Sequence, residues 1–315
     1  MARRKSTASK SNPTVRSIRY DLVNSETPGT ETSHYIDLAR DLSILNRRLM
    51  RQGRLYHVKK ISVVSTNTYS GVPATNAGGI SAGVIPYNWV SQKAYLRAFQ
   101  TWQEMNKTAT SQIAGNIEGT WADFKVYLST DSRAATLARP IDNGGNQYKL
   151  GEWEYSSLVT PDGTTGSIAF DLHMMGGNSG VAPNYNSVGL IKSFGESRAT
   201  VQTGDPNVPA IASDDPLVNV FDYGTGIDEV IDILEYANDA PPYDVDEYPG
   251  DDTNGPKPMV IQQTSIDNGR GSLPGFSAMC GLLELEIKSP VAHDVYSVLV
   301  ELAPGSYRGI KAEVI

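Results

Sequence analysis

Hydrophobic and polar residues alternate with a period of two along several short segments of the chain. In residues 282–287, for example, leucine and isoleucine alternate with Glu284 and Glu286. Successive side chains of a strand point to opposite faces, so this pattern predicts half-buried β-strands. Strands are predicted at residues 15–23, 55–65, 124–128, 153–155, 168–172, 188–194, 217–221, 259–266, 282–287 and 295–302. The last of these is apolar on both faces, which predicts a central strand.

Three other segments have apolar residues at helical spacing. They are residues 35–51, 92–105 and 227–237. Gly53 is expected to end the first helix, and Ser91 to cap the second. Because strands and helices do not alternate strictly, a doubly wound α/β fold is not predicted. The pattern favours an all-β sandwich with a few helices in its connections.

The distribution of polar and flexible residues suggests the domain organisation. Residues 1–14 contain no large apolar residue after Met1, so we predict a disordered N-terminal arm, taken as residues 1–20. The remainder, residues 21–315, is predicted to be one shell domain, although the length also allows two smaller β domains. Long surface loops are expected at residues 66–83, rich in Gly, Ala, Thr and Asn, and at residues 240–258, rich in Pro, Asp and Tyr.

The amino-acid composition argues against several classes of protein. The chain has 315 residues, 39% of them apolar and 20% charged, as in ordinary globular proteins. Cys280 is the single cysteine, so neither an internal disulfide nor a Cys-x-x-Cys zinc site is expected. No apolar run approaches the roughly 20 residues of a membrane span, and the N-terminus lacks a signal-peptide pattern. We therefore expect a protein that is made inside a cell and has no membrane association.

Charge is distributed very unevenly. The net charge is −8, yet residues 1–20 carry six Lys and Arg residues and no acid, whereas residues 199–256 carry fourteen acids and no Lys or Arg. A second basic stretch lies within residues 35–60. Flexible cations neutralise phosphates, so we predict nonspecific, salt-sensitive binding of nucleic acid. The residues predicted to bind it are Arg3, Arg4, Lys5, Lys10, Arg16, Arg19, Arg47, Arg48 and Arg51.

Two simpler interpretations of these basic residues remain open. The arm could be a solvated tail that aids solubility, and the helix arginines could pair with acids elsewhere in the chain. The acidic residues of the 240–256 loop resemble hard-cation ligands, but their spacing does not match an EF-hand. A solvated loop is therefore the expectation there, with no metal and no cofactor.

Catalytic motifs are weak. Residues 79–83 match the G-x-S-x-G pattern around Ser81, but a nucleophile elbow needs a strand before the serine and a helix directly after it, and here a Gly/Ala-rich loop is predicted. The four histidines have no metal-binding spacing, and there is no phosphate-binding glycine loop. We expect that the protein is not an enzyme.

The order of these features resembles the capsid proteins of small circular single-stranded DNA viruses. Four stretches carry the resemblance: the basic start, residues 35–53 (YIDLARDLSILNRR, ending in RQG), residues 121–128 (WADFKVYL) and residues 241–250 (PPYDVDEYPG). The resemblance implies a viral jelly-roll β-sandwich of eight antiparallel strands. It also implies self-assembly into an icosahedral shell inside the host cell, with the basic arm facing the packaged DNA.

The leading hypothesis is thus a virion structural protein whose partners are its own copies and a single-stranded DNA genome. An alternative is a double jelly-roll phage capsid protein, with one helix near 92–105 and one near 227–237 in its two halves. A further alternative is a carbohydrate- or surface-binding β-sandwich module, in which tyrosines and tryptophans stack on sugars. A hydrolase acting through Ser81 is a third possibility.

Overall fold

The computed structural model describes residues 14–65, 78–112, 121–159, 169–181, 184–198, 242–244 and 247–315, and in these ranges the protein is mostly β. The strands are β1 (Ser17–Val23), β2 (Glu31–Asp37), β3 (Arg54–Ser65), β4 (Gly78–Val84), β5 (Tyr127–Ser129), β6 (Ser157–Val159), β7 (Ala169–Met175), β8 (Ser179–Val181), β9 (Asn184–Gly189), β10 (Met259–Ile266), β11 (Arg270–Met279), β12 (Leu282–Lys288), β13 (Val295–Leu302) and β14 (Ala312–Val314). The helices are α1 (Leu38–Asn46), α2 (Trp89–Gln112), α3 (Thr130–Ala134) and α4 (Leu190–Glu196).

Two antiparallel sheets form a sandwich around one apolar core. Sheet I has the strand order β1-β13-β3-β11, with β14 beside β3, and sheet II has the order β10-β4-β12-β2. Alternate residues of both sheets are buried in the same cluster, for example Ile18 and Tyr20 of sheet I and Leu283 and Leu285 of sheet II. The predicted β-sandwich is therefore confirmed, and it stands on the alternation read from the sequence.

The pairing places the C-terminal apolar strand in the middle of its sheet. In β13, Val298 lies opposite Tyr20 of β1 on one side and opposite Val63 of β3 on the other. The predicted central position of residues 295–302 is thus confirmed. The inward residues of β13 are fully buried, while Val295 and Leu299 face outward and are partly exposed.

A second structural layer is inserted between β4 and β10. Sheet III has the order β5-β7-β9-β8, with β6 beside β7, and β7 pairs in parallel with both β5 and β9. Together with α2 and α4 it buries a separate apolar cluster. Aromatic rings pack against one another in this cluster. Tyr95 of α2 lies edge-on against Phe124, which precedes β5, with 5.3 Å between the ring centroids.

The helix predicted over residues 35–51 is wrong at both ends. Residues 35–37 belong to β2, and the helix begins after Asp37, whose carboxylate accepts a hydrogen bond from the Arg40 backbone N–H at 3.0 Å. The helix ends at Arg47, which takes a left-handed conformation with φ of 51°. Gly53 is therefore not the terminator; it lies just before β3.

Two strands that are rich in small residues were not predicted from the sequence. The loop predicted over residues 66–83 is wrong from residue 78 onward, because β4 runs through Ile80, Ala82 and Val84 with all three side chains buried. Strand β11 was missed because Pro274 and Gly275 interrupt its pattern. Glycine and alanine give little hydropathy signal, so pairing with neighbouring strands decides these segments. The short strand β14 was also missed.

Several predicted strands, helix ends and segment limits differ from those in the structure. Residues 153–155 are not a strand, and residues 188–194 divide between the end of β9 and α4. The α2 cap is Asn88 rather than Ser91, since the Asn88 side chain accepts from the Ser91 backbone N–H at 2.9 Å. The arm cannot extend to residue 20, because β1 begins at Ser17 and buries Ile18. The strand at 217–221, the helix at 227–237 and arm residues 1–13 lie outside the described residues.

Candidate nucleic-acid interface

A large groove lies against the outer side of β1 and the C-terminal end of α1. Its volume is about 1270 Å³, and its other wall is formed by residues 121–125 and 140–154. Six cationic and two acidic residues line it. The cations are Arg19, Arg40, Arg47, Arg48, Lys125 and Lys149; the acids are Glu152 and Glu154. This net positive charge marks the groove as the candidate interface with a polyanion.

A buried polar network fixes α1 beneath the groove. Asp41 accepts hydrogen bonds from Arg40 Nε at 2.8 Å and from the Tyr20 hydroxyl at 2.6 Å. Arg40 also donates to the Ala138 carbonyl, which attaches the opposite wall. These side chains are almost fully buried, so the network holds the first turn of α1 in one position relative to β1.

The carboxyl groups of this network have perturbed proton affinities. Burial raises the pKa of Asp41 to about 6, although Arg40 and Tyr20 act in the opposite direction. Burial likewise raises the pKa of Asp37, against the hydrogen bonds donated by Gln52 Nε2 at 2.8 Å and the Tyr155 hydroxyl at 3.0 Å. Desolvation is the dominant cause in both groups.

The N-terminal arm leaves the domain at the rim of this groove. The Asn46 side chain accepts from the Val15 N–H at 2.8 Å and donates to the Val15 carbonyl at 3.1 Å, as a neighbouring strand would. The hydroxyl of Thr14 donates to the Arg308 carbonyl at 2.8 Å. The first two described residues, Thr14 and Val15, are therefore held at the edge of the groove, and four of the predicted cations precede them in the sequence.

Three of the predicted nucleic-acid-binding residues line the groove together. Arg47 and Arg48 follow α1 directly, and neither side chain has an ion pair or hydrogen bond to any other described residue. Arg19 projects from β1, donates to Ser297 Oγ at 2.9 Å and makes a partly exposed ion pair with Asp21 at 3.4 Å. The first two arginines are thus the more available for a ligand.

The other predicted residues are placed differently. Arg16 is exposed just before β1, outside the groove lining. Arg51 pairs with the buried carboxylate of Asp123 at 2.9 Å and donates to the Ala122 carbonyl at 3.3 Å, so it has an internal structural partner. Arg3, Arg4, Lys5 and Lys10 lie outside the described residues.

Sequence reasoning missed the aromatic and lysine residues of the opposite wall. Trp121 is 66% exposed and Tyr148 is 40% exposed, which is unusual for such large rings. The ammonium of Lys125 lies 4.8 Å from the centre of the Trp153 ring, and the Trp153 indole N–H is buried without a hydrogen-bond partner among the described residues. The sequence feature that could have indicated this wall was Trp121, a large aromatic residue in a polar stretch.

A short turn positions part of this wall. The Asp142 carboxylate accepts from the backbone N–H groups of Gly144 and Asn146, each at 2.8 Å, and these bonds lower the pKa of Asp142. The Ile141 N–H donates to the Arg19 carbonyl at 2.9 Å, which joins the wall to β1. The turn spans Asn143, Gly144 and Gly145 and is followed by Tyr148 and Lys149, which line the groove.

Other candidate sites have different surroundings. Ser81 lies inside β4, opposite Gln263 and Glu286. In the described part of the 240–258 loop, Asp251 is 5% exposed and accepts from the backbone N–H groups of three neighbours, so it organises the loop. No group of three or more metal-binding side chains occurs in the described ranges. None of the described helices is long and apolar enough to cross a membrane.

Comparison with known proteins adds no relative. No protein-family model matches the chain, and neither do the curated proteins or the solved structures compared with it.

Proposed function

We propose that the protein is the subunit of a viral capsid, built on an eight-stranded jelly roll, and that it packages nucleic acid. The observation that carries the proposal is the pairing of the eight long strands of sheets I and II. In chain order these strands are β1, β2, β3, β4, β10, β11, β12 and β13. Hydrogen bonds pair the first with the eighth, the second with the seventh, the third with the sixth and the fourth with the fifth.

Such nested pairing is what one long antiparallel hairpin produces when it is rolled into two facing sheets. This is the topology of jelly rolls, which build many viral shells and also some lectins and cupins. The fold alone therefore does not select a function. The basic groove, and the basic arm that starts at its rim, favour a nucleic-acid-packaging shell over the other jelly-roll proteins.

The same pairing favours a single jelly roll over the double jelly roll of some phages. All eight strands are used within sheets I and II, and the described strands outside them form sheet III. Two of the pairs in sheet III are parallel, β5 with β7 and β7 with β9, whereas a second jelly roll would be antiparallel. The insertion between β4 and β10 is then an elaboration of one loop of the sandwich.

The test is to purify the full-length recombinant protein and examine it by size-exclusion chromatography and negative-stain microscopy at low and high salt. We expect closed particles of uniform size with bound nucleic acid. Deletion of residues 1–13 removes cations and leaves β1 intact, so we expect particles with much less nucleic acid. A protein that stays monomeric and free of nucleic acid at every salt and protein concentration would refute the proposal and favour a surface-binding module.

A further inference from the structure

We propose that the groove binds single-stranded nucleic acid through two kinds of contact. The exposed rings of Trp121 and Tyr148 stack on unpaired bases. The side chains of Arg47, Arg48 and Lys149 contact the phosphates. This inference rests on the proposed packaging function for the source of the ligand, but it adds a binding site in the folded domain that is separate from the arm.

The charges of the groove support a polyanionic ligand. Among the described residues, neither an ion pair nor a side-chain hydrogen bond engages Arg47, Arg48 or Lys149. Cations that line a concave surface without internal partners attract phosphates and release the counterions condensed on them. The two acids of the lining, Glu152 and Glu154, lie on one wall and leave the opposite, α1 side wholly basic.

The aromatic rings specify the form of the ligand. Phosphate contacts alone need no aromatic surface, yet Trp121 is 66% exposed and Tyr148 40% exposed in the groove lining. Stacking of a base on such a ring contributes roughly 1–3 kcal/mol and does not depend on sequence. In a duplex the base faces are already stacked, so base stacking on these rings requires an unpaired strand.

The size of the groove and its surroundings fit a polymer. Its volume of about 1270 Å³ exceeds the roughly 300–1,000 Å³ of small-molecule pockets. The N-terminal arm is a poor occupant, because residues 1–13 carry four cations and no acid, the same sign as the groove. An acidic peptide, such as residues 199–256 of another copy, would match the charge but would leave the exposed rings without a role.

The experiment uses fluorescence anisotropy on full-length subunits kept below the assembly concentration. The probes are a labelled oligothymidylate of about twelve nucleotides, within the range of single-strand sites, and an abasic strand of equal length with the same phosphates. Trp121→Ala removes an exposed ring, and we expect it to weaken oligothymidylate binding about tenfold. We expect the same variant to leave binding of the abasic strand unchanged.

Matched variants control for each effect. Tyr148→Ala is compared with Tyr87→Ala, since Tyr87 is 46% exposed but lies outside the groove; only the former should weaken oligothymidylate binding. Arg48→Glu should weaken the binding of both probes, and more strongly than Lys60→Glu, which reverses a charge elsewhere on sheet I. Thermal unfolding of each variant confirms that the fold is kept.

Three results would overturn the inference. One is an equal effect of Trp121→Ala on both probes, which would exclude stacking. Another is an equal effect of Arg48→Glu and Lys60→Glu, which would place binding outside the groove. The third is polyglutamate of similar length binding as tightly as the oligothymidylate, which would assign the groove to acidic peptides. Particle formation by the same variants, seen by microscopy, tests the capsid proposal separately.

Discussion

The two sheets of the sandwich have similar inner faces and opposite outer faces. Inside, both sheets contribute alternating apolar residues to one core. Outside, sheet I is basic and sheet II is acidic. The charged outward residues of sheet I include Arg19, Lys59, Lys60 and Arg270 against Asp21, Glu301 and Glu313; those of sheet II include Glu31, Glu284 and Glu286 against Lys288.

This difference shows that the inward and outward positions of the same strands have separate roles. The apolar positions determine how the sheets pack, and the polar positions determine which sheet a polyanion approaches. On sheet II the acids repel one another: burial, and then the neighbouring Glu31 and Glu284, raise the pKa of Glu286. In a capsid, sheet I with its groove would face the packaged nucleic acid, and sheet II would face away from it.

The largest expected effect comes from breaking the network beneath the groove. Arg40→Ala leaves the buried carboxylate of Asp41 without its cation, and we expect it to lower the free energy of unfolding by about 3–5 kcal/mol. Lys288→Ala breaks an exposed pair with Glu31 on sheet II and should cost less than about 1 kcal/mol. Urea unfolding measures both, and equal costs would contradict the structural role of the buried network.

A smaller effect is expected on nucleic-acid affinity. Neutralising Arg47 and Arg48 by Gln should weaken binding of a single strand and reduce the slope of log affinity against log salt by about 0.7 for each lost phosphate contact. The matched change on sheet II, Glu284→Gln with Glu286→Gln, should leave the slope unchanged. Titrations over a series of salt concentrations test this, and an altered slope in the sheet II variant would show that both faces take part.

The pH dependence of stability tests the buried network beneath the groove. Burial raises the pKa of Asp41 in the folded protein to about 6, above that of an ordinary Asp side chain, so the folded protein binds this proton more tightly than the unfolded chain. Its stabilising contribution is complete below the unfolded pKa and is lost as pH rises through about 6. Asp41→Asn should therefore compare more favourably with the native protein at pH ~7 than at pH ~5, by about 1 kcal/mol. Urea unfolding at the two pH values measures this, and a pH-independent difference would contradict it.

The smallest effect concerns repulsion on the acidic face. Glu286→Gln removes a charge that faces two other acids, so the variant should be more stable than the native protein by a few tenths of a kcal/mol near neutral pH. High salt screens exposed charges and should remove the gain. Differential scanning calorimetry at two salt concentrations is the measurement. A loss of stability in the variant would mean that Glu286 makes a favourable contact instead.

How far the sequence predicts the fold depends on the size of the side chains. The strands at 55–65, 282–287 and 295–302 were confirmed because large apolar residues mark their inner faces. Strands β4 and β11 were not predicted, because their inward positions alternate with Gly, Ser and Pro. Local pattern cannot show that such a segment is completed by its neighbours; β4 is held between β10 and β12.

Only one wall of the groove could be predicted from the sequence. Arg47 and Arg48 stood out as a basic run at the end of a helix, and their binding role stays a prediction. Trp121 and Lys149 come from a distant part of the chain. Tertiary contacts bring that wall to α1, among them the bond from the Ile141 N–H to the Arg19 carbonyl, the bond from Arg40 to the Ala138 carbonyl and the ion pair of Arg51 with Asp123. Sequence spacing contains no record of such tertiary contacts.

The most direct test of the account is lysine footprinting of intact and dissociated particles with an amine-reactive reagent, read by mass spectrometry. Lys59 and Lys60 report on sheet I, and Lys257 and Lys288 report on the side of sheet II. If sheet I faces the packaged nucleic acid, we expect the sheet II lysines to be modified in intact particles and the sheet I lysines only after dissociation. Equal modification of both pairs in intact particles, or modification of the sheet I lysines first, would contradict it.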